Sequence, residues 1–135
     1  MIPPFDDSGF LPAGIHLATL NDIDTRFGQT TELRQVQMES VRWMIELAAR
    51  VGIERIILNG SFVTDIMEPN DVDCVMLASA TYPDDEGAAA ELADGLPFLE
   101  IAVVAQDGFD TLVELFFATD RFGRSKGVVE VIQWN

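Results

Sequence analysis

The sequence predicts a single α/β domain of the α+β type: a mixed sheet flanked by helices, with an extended arm at its start. Length is the first reason, because 135 residues, 48% of them hydrophobic, suit one core and leave too little chain for a second. Order is the next. Apolar runs of strand composition at 54–59, 71–78, 98–105 and 127–134 are interleaved with helical patterns at 30–51, 84–95 and 108–118. Last, residues 60–70 are too few for an ordinary parallel crossover of roughly a dozen or more residues, so the sheet is expected to be mixed or antiparallel there.

Residues 1–17 carry Pro3, Pro4, Gly9, Pro12 and Gly14, which predicts a loop-rich arm that must pack on the body to be ordered. Thr19 and Asp22 have capping-box spacing and open a short helix that Gly28 stops, so 1–28 reads as arm plus helix within one domain covering 1–135. In the next helix Leu33, Val36, Ser40, Met44, Leu47 and Val51 recur at three- and four-residue steps and are expected to face inward, with Trp43 in the core and Gly52 as a left-handed stop. The Ala-rich run 86–94 has good helix formers but a weak apolar face, which predicts an exposed helix. Cys74, the single cysteine, excludes an internal disulfide and reads as a small buried hydrophobe.

Charge narrows the partners. With 23 acidic residues against 8 basic the formal net charge is -15, which repels polyanions and makes nucleic acid a poor ligand. A basic protein partner is the functional reading, and plain solubility or a saline habitat is the bland one. No apolar run approaches the roughly 18 residues of a membrane span and no secretory signal is seen, so a cytoplasmic protein without membrane contact is expected. A homo-oligomer is left open.

Chemistry concentrates in one segment. Gly60-Ser61-Phe62-Val63-Thr64 follows the strand Arg55-Ile56-Ile57-Leu58-Asn59, and Pro69-Asn70-Asp71-Val72-Asp73 opens the next. Alternation along a strand rising roughly 3.3 Å per residue puts Asp71 and Asp73 on one side, their Cα atoms about 7 Å apart. Two such carboxylates beside a phosphate-holding turn suit a hard cation, Mg²⁺ or Mn²⁺, carrying a nucleoside triphosphate. Like charges on one face also cost stability without a cation between them.

This segment resembles the signature of the polymerase-beta type nucleotidyltransferases: hydrophobic strand, Gly-Ser, a helical crossing of about ten residues, then Asp-hydrophobic-Asp. The resemblance implies a nucleotidyltransferase-like sheet in which Gly60 lets the backbone approach the triphosphate, Ser61 contacts it, and Asp71 and Asp73 hold the metals. It also implies a third acid on a neighbouring strand that completes the metal site, for which Glu100 is the candidate. The whole chain is similar to short stand-alone nucleotidyltransferase-like proteins, through Leu11 to Thr19, Arg26 to Gly28, Gly60 to Thr64, Pro69 to Asp73 and Thr119 to Val129. Some small proteins with this signature are antitoxins that silence a partner toxin by adding nucleotides to it.

Each residue also has a bland reading. Asp71 can cap a turn, Ser61 can cap a crossing helix that itself would attract phosphate, Thr64 and Asp65 can be plain helix residues, and Glu100 can face solvent on an edge strand. His16, the sole histidine, sits in the arm as a packed or exposed residue. Arg121, Arg124 and Lys126 are either a solvated hairpin tip or the cations that oppose a triphosphate. The expected activity is Mg²⁺-dependent transfer of a nucleoside monophosphate from NTP to a hydroxyl of a protein or small molecule. The alternative is a nucleotidyltransferase-like module that works only by binding protein.

Overall fold

The computed structural model describes residues 2–118 and 126–134. Among them, strands β1 (Ile15–Ala18), β2 (Ile53–Asn59), β3 (Val72–Ala78), β4 (Leu99–Val104) and β5 (Val128–Val131) form one sheet in the order β1-β5-β2-β3-β4. The β2–β3 and β2–β5 pairs are antiparallel, whereas β1–β5 and β3–β4 are parallel. The expected mixed sheet is therefore present, with the antiparallel step at the short 60–70 crossing.

Helices α1 (Leu20–Phe27), α2 (Glu32–Val51) and α3 (Glu86–Asp94) cover one face, and α4 (Gln106–Ala118) lies on the other. Ile23 and Phe27 of α1, Met44 and Ala48 of α2, and Leu92 of α3 pack with Ile56, Leu58, Cys74 and Met76. Phe109 and Val113 of α4 pack with Ile57, Val75, Leu77 and Val128. Period-two alternation thus sends each strand's side chains into two separate cores. Among the described residues no helix is long and apolar enough to cross a membrane.

Local chemistry sets the boundaries. Thr19 and Asp22 exchange both bonds of a capping box, and Thr31 Oγ1 accepts the Arg34 amide at 3.1 Å to start α2. Gly52 ends α2 at φ 87° and ψ 43°, a left-handed position that glycine adopts without a Cβ penalty. Helix α3 is mostly exposed, as expected, with Ala88 and Leu92 as its buried contacts.

Two expectations need correction. The inward face of α2 is rotated from the expected one: Met44, Leu47 and Val51 are buried, but Val36 is 47% exposed, and Arg34 and Gln37 are buried. Apolar spacing misplaced the face because these two polar side chains find partners inside the protein. The arm also contributes a strand, since β1 pairs with β5 from Ile15 opposite Val128 to Ala18 opposite Val131. Upstream, Phe5 packs on Phe27 with ring centroids 6.1 Å apart, and Arg26 lies 4.3 Å above the Phe5 ring. Trp43 is partly buried against the main core.

Candidate functional site

β2 ends and β3 begins at the same end of the sheet, so the residues that flank the crossing meet there. Asn59 stands opposite Asp73 in the antiparallel ladder, and Asp73 stands opposite Glu100 in the parallel one. Asp71 precedes β3 by one residue, and two-residue spacing gives it the side of Asp73. The structure therefore sets Asp73 beside Glu100, and the charge of Asp71 reaches Asp73. Glu100 faces solvent on β4, the edge strand, so its bland reading and its place beside Asp73 both hold.

Asp73 is under electrostatic stress. Burial first, then the hydrogen-bonding Glu100 carboxyl and its charge, then the Asp71 charge push its carboxyl up to about 6, and Lys126 acts in the opposite direction. Burial, with a smaller contribution from Asp73, also pushes the Cys74 thiol well above its ordinary range, in keeping with an inert core residue.

Gly60 lies directly under this carboxylate. Its φ of 81° with ψ of -166° belongs to a region essentially restricted to glycine, and a Cβ there would collide with Asp73 Oδ2. The crossing itself differs from the expected helix. Residues Ser61–Val63 form a single 3₁₀ turn capped by Gly60, and the remainder is irregular. Ser61 thus neither caps a helix nor stands at a helix dipole. Thr64 is buried rather than helical, and its hydroxyl donates to the Ser61 carbonyl at 2.6 Å.

Arg34, which sequence reasoning missed, holds the irregular crossing in place. Its guanidinium donates from Nη1 to the Phe27 and Phe62 carbonyls at 3.0 and 2.8 Å, and from Nη2 to those of Thr64 and Ile66 at 2.8 and 2.6 Å. Nε adds a bond to Ile66 at 3.1 Å. Burial lowers its pKa, and Asp65 partly offsets this. Gln37 Nε2 donates to the Pro69 carbonyl at 2.6 Å and Thr31 to that of Met67 at 3.3 Å, so α2 clamps the crossing along its length. The sequence offered only a weak signal, an arginine three residues beyond the helix-capping Thr31.

Among the described residues three further arginines are ion-paired. Arg42 pairs with Asp24 at 2.7 Å, Arg50 with Asp85 at 3.3 Å and Arg55 with Glu130 at 2.6 Å. Lys126 is the described cation whose charge reaches Asp73, while Arg121 and Arg124 lie outside the described residues. The arm positions the start of this tail, because Gly127 donates to the Leu11 carbonyl at 2.9 Å. His16 Nε2 donates to the Pro12 carbonyl at 2.6 Å, which ties it to the arm rather than to the acids.

Beside the acids lies a cleft of about 380 Å³ lined by Asp73, Val75, Glu100, Ala102 and Leu112. A larger hollow of about 490 Å³ lies between α3 and β4, lined by residues such as Tyr82, Leu92, Leu99 and Ile101; its one charged residue, Asp94, gives it no convergent chemistry. Among the described residues no three His, Cys, Asp or Glu side chains close into a finished metal cage. The donor set nevertheless fits Mg²⁺ or Mn²⁺, which take one or two protein carboxylates and fill their remaining positions with water and substrate phosphate.

A family model covers residues 3–132, described as a family of unknown function, DUF6932. The chain belongs to the DUF6932 family. The match includes the arm, the crossing, all three acids and the tail, so the DUF6932 unit takes in the whole acidic site. No curated protein and no solved structure matches the chain.

Proposed function

We propose that this DUF6932 protein is a Mg²⁺- or Mn²⁺-dependent nucleotidyltransferase that transfers a nucleoside monophosphate from an NTP to a hydroxyl of a protein or small molecule. One observation carries the reading: a half-buried Asp73 carboxylate packed over Gly60, beside Asp71 and opposite Glu100. Asp71 and Asp73 would hold the cation, and bound Mg²⁺ would neutralise charge on the phosphate oxygens. The bare backbone at Gly60 and Ser61 admits the β- and γ-phosphates, with Lys126, Arg121 and Arg124 opposing their charge.

The acceptor hydroxyl oxygen then bonds to the α-phosphorus while the bond from that phosphorus to the α–β bridging oxygen breaks. Pyrophosphate leaves with the electron pair. Glu100, exposed at the sheet edge, takes the hydroxyl proton and passes it to water. Positioning and electrostatics supply the rate.

A net charge of -15 favours a basic protein over nucleic acid as acceptor or partner, as in antitoxin pairs. The same charge also suits a second reading, a binding module that retains its acids without turnover. Incubation with α-phosphate-labelled NTP, Mg²⁺ and host lysate separates the two. A labelled protein band or small molecule, absent with Asp71→Asn/Asp73→Asn, supports transfer. No labelling alongside a stoichiometric complex with a basic protein supports the module, and labelled RNA overturns the acceptor assignment.

A further inference from the structure

Asn59, the last residue of β2, is 7% exposed, and its Oδ1 is buried with no hydrogen-bond partner. Its position gives that orphan a meaning. Two residues earlier Ile57 packs with its ladder partner Val75 in the α4-side core, and period-two alternation brings Asn59 and Asp73 to that same face. Glu100 continues the row on β4. Three neighbouring strands thus present an amide oxygen and two carboxylates side by side.

An ionised carboxylate accepts hydrogen bonds and donates none, so neither acid can satisfy Asn59 Oδ1. Lys126, whose charge reaches Asp73, leaves it unpartnered too. A buried acceptor without a donor has lost its hydration for no return, and buried polar groups in folded proteins ordinarily have partners. A cation is the species that would satisfy the whole row. An amide oxygen suits a hard ion and adds a donor without adding negative charge to carboxylates that already repel one another.

We propose that Asn59 Oδ1 is an oxygen ligand for a hard divalent cation held with Asp73 at the end of the sheet. This rests on the cation-site half of the proposed function and deepens it, since it enlarges the site from two strands to three. It is independent of nucleotidyl transfer.

The test is Mn²⁺ alone, titrated into the full chain and followed by electron paramagnetic resonance of the free ion, with urea unfolding in chelator measured in parallel. Asn59→Leu keeps the γ-branched shape of the side chain in a larger volume and removes the orphan oxygen. It should weaken Mn²⁺ binding about tenfold or more, while the metal-free protein stays at least as stable as the parent. Asn59→Asp should bind Mn²⁺ at least as tightly as the parent but be less stable without metal, since it puts a further charge beside Asp73.

Unchanged Mn²⁺ affinity in Asn59→Leu, with Asp73→Asn losing the ion, overturns the assignment of Asn59 and leaves the transferase reading standing. If Asn59→Leu instead lowers metal-free stability at parental Mn²⁺ affinity, the amide serves as a structural donor to Asp73 and the proposal falls. No Mn²⁺ binding by the parent overturns both this proposal and the metal site of the transferase. Weakened Mn²⁺ binding in Asn59→Leu, with no labelled product from any acceptor, upholds Asn59 and removes only the transferase.

Discussion

The Asp73 carboxylate occupies the space that a Cβ on Gly60 would need. This contact joins the end of β2 to the start of β3 across the irregular crossing, and it ties the most stressed acid of the site to the backbone proposed to meet phosphate. The glycine serves both conformation and clearance.

Gly60→Ala should therefore destabilise the protein for two separable reasons. Forcing a side chain into the φ and ψ of Gly60 costs on the order of 1–3 kcal/mol by itself, and the collision with Asp73 adds to it. Urea unfolding of the single and double variants should show a smaller alanine cost in an Asp73→Ala background, where the collision is gone. An equal cost in both backgrounds would mean that only the backbone conformation matters.

Asp73 also sets a pH dependence. Its folded pKa of about 6 lies above the ordinary carboxylate value of 3.8, so the folded state holds the proton more tightly than the unfolded state does. The resulting stability is fully present below 3.8 and is lost as pH rises through about 6. Metal-free parent, measured against Asp73→Asn, should lose stability across that window, and the difference should level off above it. Added Mg²⁺ should raise the melting temperature of the parent mainly above pH 6, where the carboxylate is ionised. A flat difference between the two proteins would show that neither burial nor the neighbouring acids stress Asp73.

Asp71→Asn with Asp73→Asn should abolish Mg²⁺-dependent NTP binding by calorimetry without lowering metal-free stability at neutral pH, because repulsion and ligands disappear together. Parental affinity for Mg-NTP in the double variant would move the metal elsewhere.

The acids and the glycine were legible in the sequence for a physical reason. Strand alternation alone puts Asp71 and Asp73 on one side, and a glycine directly after an apolar strand marks a turn whose backbone other residues resist. Strand register was not legible. Only the pairing of β3 with β4 brings Glu100 opposite Asp73, and only that of β2 with β3 makes Asn59 part of the same row. β1 was hidden because Pro12 and Gly14 mark a loop so strongly that the four residues Ile15–Ala18, which depend on β5 for their pairing, carried no signal of their own. The α2 face was misread because apolar periodicity cannot anticipate a buried arginine whose partners are carbonyls some 30 residues away.

That arginine supports the last prediction. Arg34 is 2% exposed and answers four carbonyls, three of them within the crossing, so removing it would leave both an unclamped loop and several buried acceptors without donors. Arg34→Met retains the aliphatic bulk and should cost on the order of 3–5 kcal/mol in urea unfolding. Arg34→Lys should recover less than half of this, since one ammonium on a flexible stem cannot reproduce a planar fork that reaches carbonyls on both sides. Local hydrogen exchange should quicken at Val63 and Thr64, whose amides bond within the 3₁₀ turn, before it does in β2 or β3. Mg-NTP affinity should fall with the clamp, although Arg34 is assigned no contact with the nucleotide, because Gly60 and Asp71 are the two ends of the segment it holds. Parental stability and parental exchange in Arg34→Met would show that the crossing keeps its shape from Gly60 and Thr64 alone.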